Sequence, residues 1–265
     1  MKIYVSADIE GITGIANWNE ATKEKPDYPP FSGEMLREVR AACDGANNAG
    51  ADEIWIKDAH DTGRNLSMNG LPANTRLIRA WSGHPFFMMQ ELDDTYDAAL
   101  LLGYHSYAGS DGNPLAHTIN PELSCIKING EPASEFLINS YTASLVNVPV
   151  VFVSGDFALC EHAERLNAGI KTVRSNKGAG GSVIAFHPDI VTENIRQGVE
   201  EALKSPVRKC MLPLPGHFEV ELCYNLHTRA YKASFYPGMK MLSARSLMFE
   251  TDSYFEVLRM LAFAV

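Results

Sequence analysis

The sequence has few cysteines, no excess of basic residues and no long apolar run. Its five cysteines are scattered, odd in number and never spaced as C-x-x-C, which favours reduced thiols over a disulfide frame or a structural zinc knuckle. The net charge of −9 argues against nucleic acid or an anionic membrane as the main partner. No stretch can span a bilayer, and the N-terminus has no signal-peptide core, so we expect a cytosolic protein.

The 265 residues, 46% of them hydrophobic, suffice for a large core and two lobes. Apolar runs alternate with helical periodicity, which predicts an α/β fold with a mostly parallel sheet flanked by helices. The main runs expected to form strands lie near residues 3–5, 53–56, 76–79, 98–103, 126–132 and 150–156. Because the character of the sequence changes after the last of them, we expect a larger α/β domain over residues 1–150 and a smaller C-terminal α/β domain over residues 151–265.

Four local patterns carry further predictions. Residues 16–33 are polar and Pro-rich, which predicts a long loop. Ser32 is a suitable N-cap for a helix from about Gly33 to Ala49. A Phe- and Met-rich stretch predicts a short helix over residues 86–92. The glycines of residues 177–181 lack the G-x-x-x-x-G-K-[ST] spacing of a phosphate loop, so we interpret this stretch as a flexible loop.

Two acidic residues follow the first predicted strand, in the hexapeptide Ser6–Gly11. Asp8 and Glu10 stand at i and i+2, so strand alternation would point both carboxylates to one side. Two such acids repel each other and are costly to bury unless a cation lies between them. Gly11 allows a sharp turn there. The alternative is a solvated strand-to-loop turn, because most acidic residues lie at the surface.

Other residue types that bind metals follow later elements. His60 comes after the second strand, His105 follows the most apolar strand, and Glu135 begins a helix after an Asn-Gly turn. Ligands bind at the carboxyl ends of strands in open α/β sheets, so these residues can converge with Asp8 and Glu10. Five O and N ligands without Cys suit Zn²⁺, and three carboxylates with two imidazoles are enough for two ions bridged by one carboxylate. The domain over residues 1–150 would then be the metal-binding one.

Each of these residues also has an ordinary structural interpretation when taken alone. His60 has aspartates nearby to pair with, His105 can be a satisfied core histidine, and Glu135 suits a helix start. His117 lies in a polar loop, where it is either an exposed histidine or a mobile acid, base or oxyanion donor above the metals.

The hexapeptide Ser6–Gly11 is similar to the S-x-D-x-E-G signature of the zinc-dependent D-aminopeptidases of the DppA type. The resemblance extends over the whole chain and includes Asp58-Ala59-His60, Gly103-Tyr104-His105, Leu115-Ala116-His117-Thr118, Asn129-Gly130-Glu131 and Glu135. It implies two zinc ions per subunit, bridged by Asp8, and a ring-shaped homo-decamer that encloses the active sites. It implies further that Glu10 and His105 complete one site, and His60 and Glu135 the other.

The prediction is therefore a binuclear zinc aminopeptidase that removes an N-terminal residue, D-configured, from short peptides such as D-Ala-containing dipeptides. His117 matches the residue proposed in the family as the nucleophile. Attack by a metal-bound hydroxide, with His117 as acid/base or oxyanion stabiliser, is chemically simpler. Two alternatives remain open. A two-metal phosphoesterase would recruit basic residues, of which only Lys57 and Arg64 are near, and a non-catalytic metal-binding ring scaffold would have a closed, Cys-rich zinc site.

Overall fold

The computed structural model describes residues 1–265 and contains two β-sheets. The strands are β1 (Lys2–Ala7), β2 (Glu53–Asp58), β3 (Thr75–Ile78), β4 (Ala98–Tyr104), β5 (Leu123–Ile128), β6 (Glu131–Pro132), β7 (Val150–Asp156), β8 (Lys171–Ala179), β9 (Ser182–Ala185), β10 (Phe218–Tyr224), β11 (Lys240–Met241) and β12 (Ser246–Thr251). The α-helices are α1 (Trp18–Ala21), α2 (Tyr28–Asn48), α3 (Glu135–Leu145), α4 (Phe157–Leu166), α5 (Pro188–Lys204), α6 (His227–Ala233) and α7 (Tyr254–Ala264). None of these helices combines the length and the apolar character needed to cross a membrane.

The larger sheet has the strand order β3-β2-β1-β4-β7-β8-β9. All its neighbouring strands are parallel except β9, which runs antiparallel to β8. Every residue of β4 and β7 is buried, because elements cover both faces of the sheet at its centre. The predicted α/β fold with a mostly parallel sheet flanked by helices is confirmed.

The smaller sheet is antiparallel, with the order β11-β12-β10-β5-β6. It combines the β5–β6 hairpin, which precedes the domain boundary expected near residue 150, with three strands that follow it. The larger sheet likewise continues through β7, β8 and β9 beyond that residue. Each sheet therefore draws strands from both sides of residue 150, because long-range pairings such as Val220 with Ile128 join distant segments.

The predicted start of the first long helix at Gly33 is wrong, because α2 begins at Tyr28. Pro29 and Pro30 lie in its first turn, where a missing N–H leaves no helical hydrogen bond unmade. The proline-rich stretch is therefore the beginning of the helix, and the predicted loop also contains the short helix α1.

Two other local predictions are also wrong. The helix expected over residues 86–92 is a 3₁₀ turn over Phe87–Met89, because Phe87 and Glu91 have left-handed backbones that a regular helix excludes. The flexible loop expected over residues 177–181 is mostly the end of β8 and a hairpin turn into β9. Gly180, at φ +60°, supplies the left-handed residue of that turn.

The turn after β1 is pressed against the end of β4. The N–H of Gly11 donates to the carbonyl of Gly103 at 2.8 Å. A Cβ at Gly11 would lie 1.7 Å from the Tyr104 oxygen, and one at Gly103 would lie 2.3 Å from the Asp8 oxygen. Neither position has room for a side chain, and this close approach brings the acidic hexapeptide to the end of the neighbouring strand.

A buried glutamate ties α2 to the same turn. Glu38 is 1% exposed, and its Oε1 accepts a hydrogen bond from the Thr13 N–H at 2.9 Å. Burial raises the pKa of Glu38 to about 7. Because the folded protein binds the Glu38 proton more tightly than the unfolded chain does, deprotonation favours unfolding. The protein therefore loses stability as the pH rises from the unfolded pKa of about 4.5 towards 7, and the loss is complete above that range.

We expect Glu38→Gln to raise the free energy of unfolding by about 2–3 kcal/mol at pH 8, with little effect at pH 5. Glutamine keeps the acceptor for Thr13 and removes the buried charge. Urea unfolding at the two pH values measures the difference, with exposed Glu24→Gln as the control. Parallel pH profiles for wild type and Glu38→Gln would contradict the prediction.

Candidate metal centre

The six side chains singled out in the sequence lie together at the carboxyl ends of β1, β2 and β4. Five of them line a cleft of about 470 Å³, and the sixth, His105, has a fully buried side chain and does not line it. The five predicted metal ligands are all 5% exposed or less. Asp8 and Glu10 lie beyond the end of β1, so the turn, rather than strand alternation, points both into the cleft.

The buried donors form two groups that share Asp8. In the first group, the Nδ1 of His60 lies 3.3 Å from Asp8 Oδ1 and 3.0 Å from Glu10 Oε2. In the second, the Nε2 of His105 lies 3.6 Å from Asp8 Oδ2 and 3.4 Å from Glu135 Oε2. In these two groups Glu10 lies with His60 and Glu135 lies with His105. Glu10 also forms a group with His105 and His117, so the division of ligands that the resemblance implied stays a prediction.

Each site histidine has one ring nitrogen tied to a backbone carbonyl. His60 Nε2 lies 2.7 Å from the Ala21 oxygen, and His105 Nδ1 lies 3.0 Å from the Ser106 oxygen. His117 Nδ1 lies 2.9 Å from the Leu115 oxygen. Because a carbonyl only accepts, the tied nitrogen carries the proton and the other nitrogen of the neutral ring offers a lone pair. In their neutral forms, all three rings would therefore turn a lone pair towards the acidic side chains.

Local structure sets these orientations. The carbonyl that accepts from His60 belongs to Ala21, the last residue of α1. A capping box of Asn17 and Glu20 stabilises the N-terminus of this short helix. Glu135 lies in the first turn of α3, and its Oε1 accepts a hydrogen bond from the Ile119 N–H at 2.7 Å. Its other oxygen is left to face His105.

The charges in the cluster depend strongly on one another. Burial, followed by the charge of Glu10, raises the pKa of Asp8 well above its ordinary value. Burial alone would raise the pKa of Glu10, but the charge and hydrogen bond of His60, together with the charges of His117 and His105, hold it well below its ordinary value. At His105, burial lowers the pKa, but the charge and hydrogen bond of Glu135 with the charges of Glu10 and Asp8 together raise it to about 10. In the metal-free protein, the imidazoles of His60 and His105 therefore hold protons between the carboxylates.

Three polar atoms of the cluster are buried without a hydrogen-bond partner: Glu10 Oε2, His105 Nε2 and Glu135 Oε2. A buried polar atom without a partner is costly, and all three of these face the other donors. Carboxylate oxygens and imidazole nitrogens are donors that zinc binds in proteins. The residues present therefore fit a zinc centre.

Comparison with known proteins agrees with this fit. The model of peptidase family M55, the D-aminopeptidases, matches residues 1–263. The chain belongs to this family. A D-aminopeptidase of Bacillus subtilis (strain 168) is 33% identical over 172 residues, which are 65% of this chain and 62% of that relative, less than two thirds of its length. A solved structure, described as the Zn-dependent D-aminopeptidase DppA from Bacillus subtilis, a self-compartmentalizing protease, superposes with a TM-score of 0.92. It is 26% identical, and the match covers 100% of this chain and 98% of that one.

The predicted membership of the D-aminopeptidase family is thus confirmed. In this M55 chain, His117 stacks on His105, with ring centroids 4.3 Å apart and planes 12° apart. Its Nε2 lies 3.7 Å from Glu135 Oε1. Burial, followed by the charge of His105, lowers the pKa of His117. The ring is therefore neutral near pH 7 and can accept a proton.

Sequence reasoning missed the aromatic walls of the cleft. Trp18 and Trp81 are 41% and 40% exposed, and Trp18 meets the His117 ring edge-on at a centroid distance of 5.3 Å. Phe87 and Ile119 contribute further apolar surface. The one signal in the sequence was the presence of tryptophans in polar segments, and this signal does not indicate which part of the fold those segments cover.

Proposed function

We propose that the chain is a binuclear zinc aminopeptidase that removes a D-configured N-terminal residue from short peptides, such as D-Ala-containing dipeptides. The observation that carries the proposal is the pair of buried donor groups sharing Asp8 within an open cleft. Membership of the D-aminopeptidase family supports the reaction, and the zinc dependence of the matched structure supports the metal.

Asp8, Glu10 and His60 would hold one ion, and Asp8, His105 and Glu135 the other. Asp8 suits the bridging role because its two oxygens face different histidines. Two bound zinc ions would lower the pKa of a shared water and polarise the scissile carbonyl.

The remaining steps fall to residues of the chain. The Nε2 of His117 would accept a proton from the attacking water and return it to the leaving amine, because its Nδ1 is already committed to the Leu115 oxygen. The carbonyls of Ala21 and Ser106 keep His60 and His105 in the orientation that leaves their lone pairs free.

Removal and return of zinc tests this function. We expect the metal-free protein to be inactive and zinc to restore cleavage of D-Ala-D-Ala but not of L-Ala-L-Ala, with His60→Ala as the control for contaminating peptidases. Cleavage of the L-peptide alone would contradict the D-specific part. Failure to cleave either peptide with zinc bound would contradict the aminopeptidase.

The same cleft weighs against the two alternatives. None of the residues lining it is Lys or Arg, although phosphate chemistry relies on such groups around its metals. The Lys57 ammonium does not line the cleft but packs on the ring of Trp81, which does. A structural zinc site is usually closed, whereas this one faces a cleft of about 470 Å³.

We also propose that the protein acts as a homo-oligomer in the cytoplasm. The description of the matched structure as self-compartmentalizing supports an assembly of copies. A ring of ten subunits is the form that the family resemblance implies.

A further inference from the structure

A buried lysine near the cleft has no role in the proposed peptide hydrolysis. Lys57, in β2, is fully buried, and its Nζ donates a hydrogen bond to the Ala80 carbonyl at 2.6 Å. The same Nζ lies 3.9 Å from the ring centroid of Trp81. Burial lowers the pKa of Lys57 to about 8. An ammonium in the interior is costly unless its few partners are well placed, so the Trp81 face is a substantial part of its environment.

Trp81 is also held from a second direction. Its Nε1–H donates to the Asp61 carbonyl at 2.6 Å, and Asp61 directly follows the candidate ligand His60. Asp61 and Ala80 both have left-handed backbones, with φ of +44° and +59°. The Ala80 N–H donates to the Gly63 carbonyl at 2.7 Å, so the loops after β2 and β3 form one connected unit. Strained residues of this kind concentrate at functional sites.

These anchors leave the indole partly open, at 40% exposure, in the wall of the cleft beside Asp61 and Phe87. An exposed tryptophan held by a hydrogen bond and an internal cation is a pre-ordered surface, which loses little conformational freedom when a ligand packs on it.

We infer that Trp81 forms the wall on which the bound peptide packs, and that Lys57 is the positioning residue that holds it there. The inference rests on the proposed peptidase function and extends it to substrate binding. Lys57 touches neither the donors of the metal centre nor the cleft surface, so it acts through the indole.

Kinetics on the zinc-loaded enzyme with D-Ala-D-Ala tests this inference. We expect Trp81→Ala and Lys57→Met each to raise KM about tenfold with kcat and zinc content nearly unchanged, because binding rather than chemistry is weakened. The double variant should match Trp81→Ala alone, since Lys57 has no effect once the indole is gone. Unchanged KM in Trp81→Ala, or a full additional effect of Lys57→Met in that variant, would overturn the inference.

A matched control lies elsewhere in the chain. Lys2 Nζ is 5.3 Å from the ring centroid of Trp55, and neither residue lines the cleft, so Lys2→Met should leave KM unchanged. Should Lys57→Met fail to fold, Lys57→Arg keeps a cation and should raise KM less than Trp81→Ala does.

A fluorescence measurement separates this inference from the proposed function. The chain has three tryptophans, so in the double variant Trp18→Phe/Trp55→Phe only Trp81 remains to emit. Adding Lys57→Met should shift its emission to the red and lower its anisotropy whether or not a peptide is cleaved. Unchanged emission and anisotropy would overturn the role of Lys57, whereas an inactive zinc-loaded wild type with the fluorescence change would contradict only the peptidase.

Discussion

Asp8→Asn is expected to remove both zinc ions and to lower peptidase activity by about 10³-fold or more, since several kcal/mol of transition-state stabilisation are lost with the metals. One candidate group contains Glu10 and His60, and the other contains His105 and Glu135. Asp8 is the only residue that belongs to both. Asparagine offers a single, uncharged oxygen and cannot replace a carboxylate that faces two ions.

The zinc content of three variants distinguishes a bridging residue from a terminal ligand. His60→Ala and Glu135→Ala should each lose one of the two ions, whereas Asp8→Asn should lose both. Elemental analysis of protein purified in parallel measures the stoichiometry. Two ions retained in Asp8→Asn, or none in wild type, would contradict the shared centre.

A loss of metal must be separated from a loss of fold. Burial and Glu10 disfavour the charged form of Asp8 in the metal-free protein, so Asp8→Asn should be at least as stable as wild type when both are stripped of zinc. Exposed Asp94→Asn, the matched control, should keep two ions and full activity.

The convergence of the candidate ligands could be predicted because it follows from topology. β1, β2 and β4 are parallel neighbours, so Asp8, His60 and His105 reach one edge of the sheet whatever the details of packing. The distances between the candidate ligands could not be predicted from topology. They depend on the turn that Gly11 allows against β4, which is a contact between backbones and leaves no periodic signal.

The smaller sheet shows the same limit on a larger scale. The alternation of residues 217–222 is typical of a half-buried strand, here β10, and an Asn-Gly turn such as that at residues 129–130 is typical of a hairpin, here β5–β6. Their pairing joins Cys125 to Cys223, 98 residues apart in sequence, and Ile128 to Val220, 92 residues apart. Nothing local indicates such a partner, so each strand was predicted in the lobe nearest to it in the sequence.

His117→Ala is expected to lower kcat by about 10²- to 10⁴-fold while both zinc ions are retained. His117 differs from the other site histidines because it stacks on His105 and approaches Glu135 Oε1 only to 3.7 Å. Its Nδ1 is committed to the Leu115 oxygen, which leaves Nε2 to exchange a proton with the reacting groups. Exposed His227→Ala is the matched control and should leave kcat unchanged.

The pH profile and the zinc content together define the role of His117. Burial and the charge of His105 lower its pKa below the ordinary 6.5, and a zinc ion bound in place of the His105 proton would act in the same direction. If His117 is the base, the acid limb of kcat/KM should fall below pH 6.5 in wild type, and the residual activity of His117→Ala should lack that limb.

His117 also forms a third donor group with Glu10 and His105, so loss of zinc in His117→Ala would identify a ligand rather than a base. Full activity with both ions bound would exclude it from the proton transfer, which the carboxylates of the cluster would then have to perform.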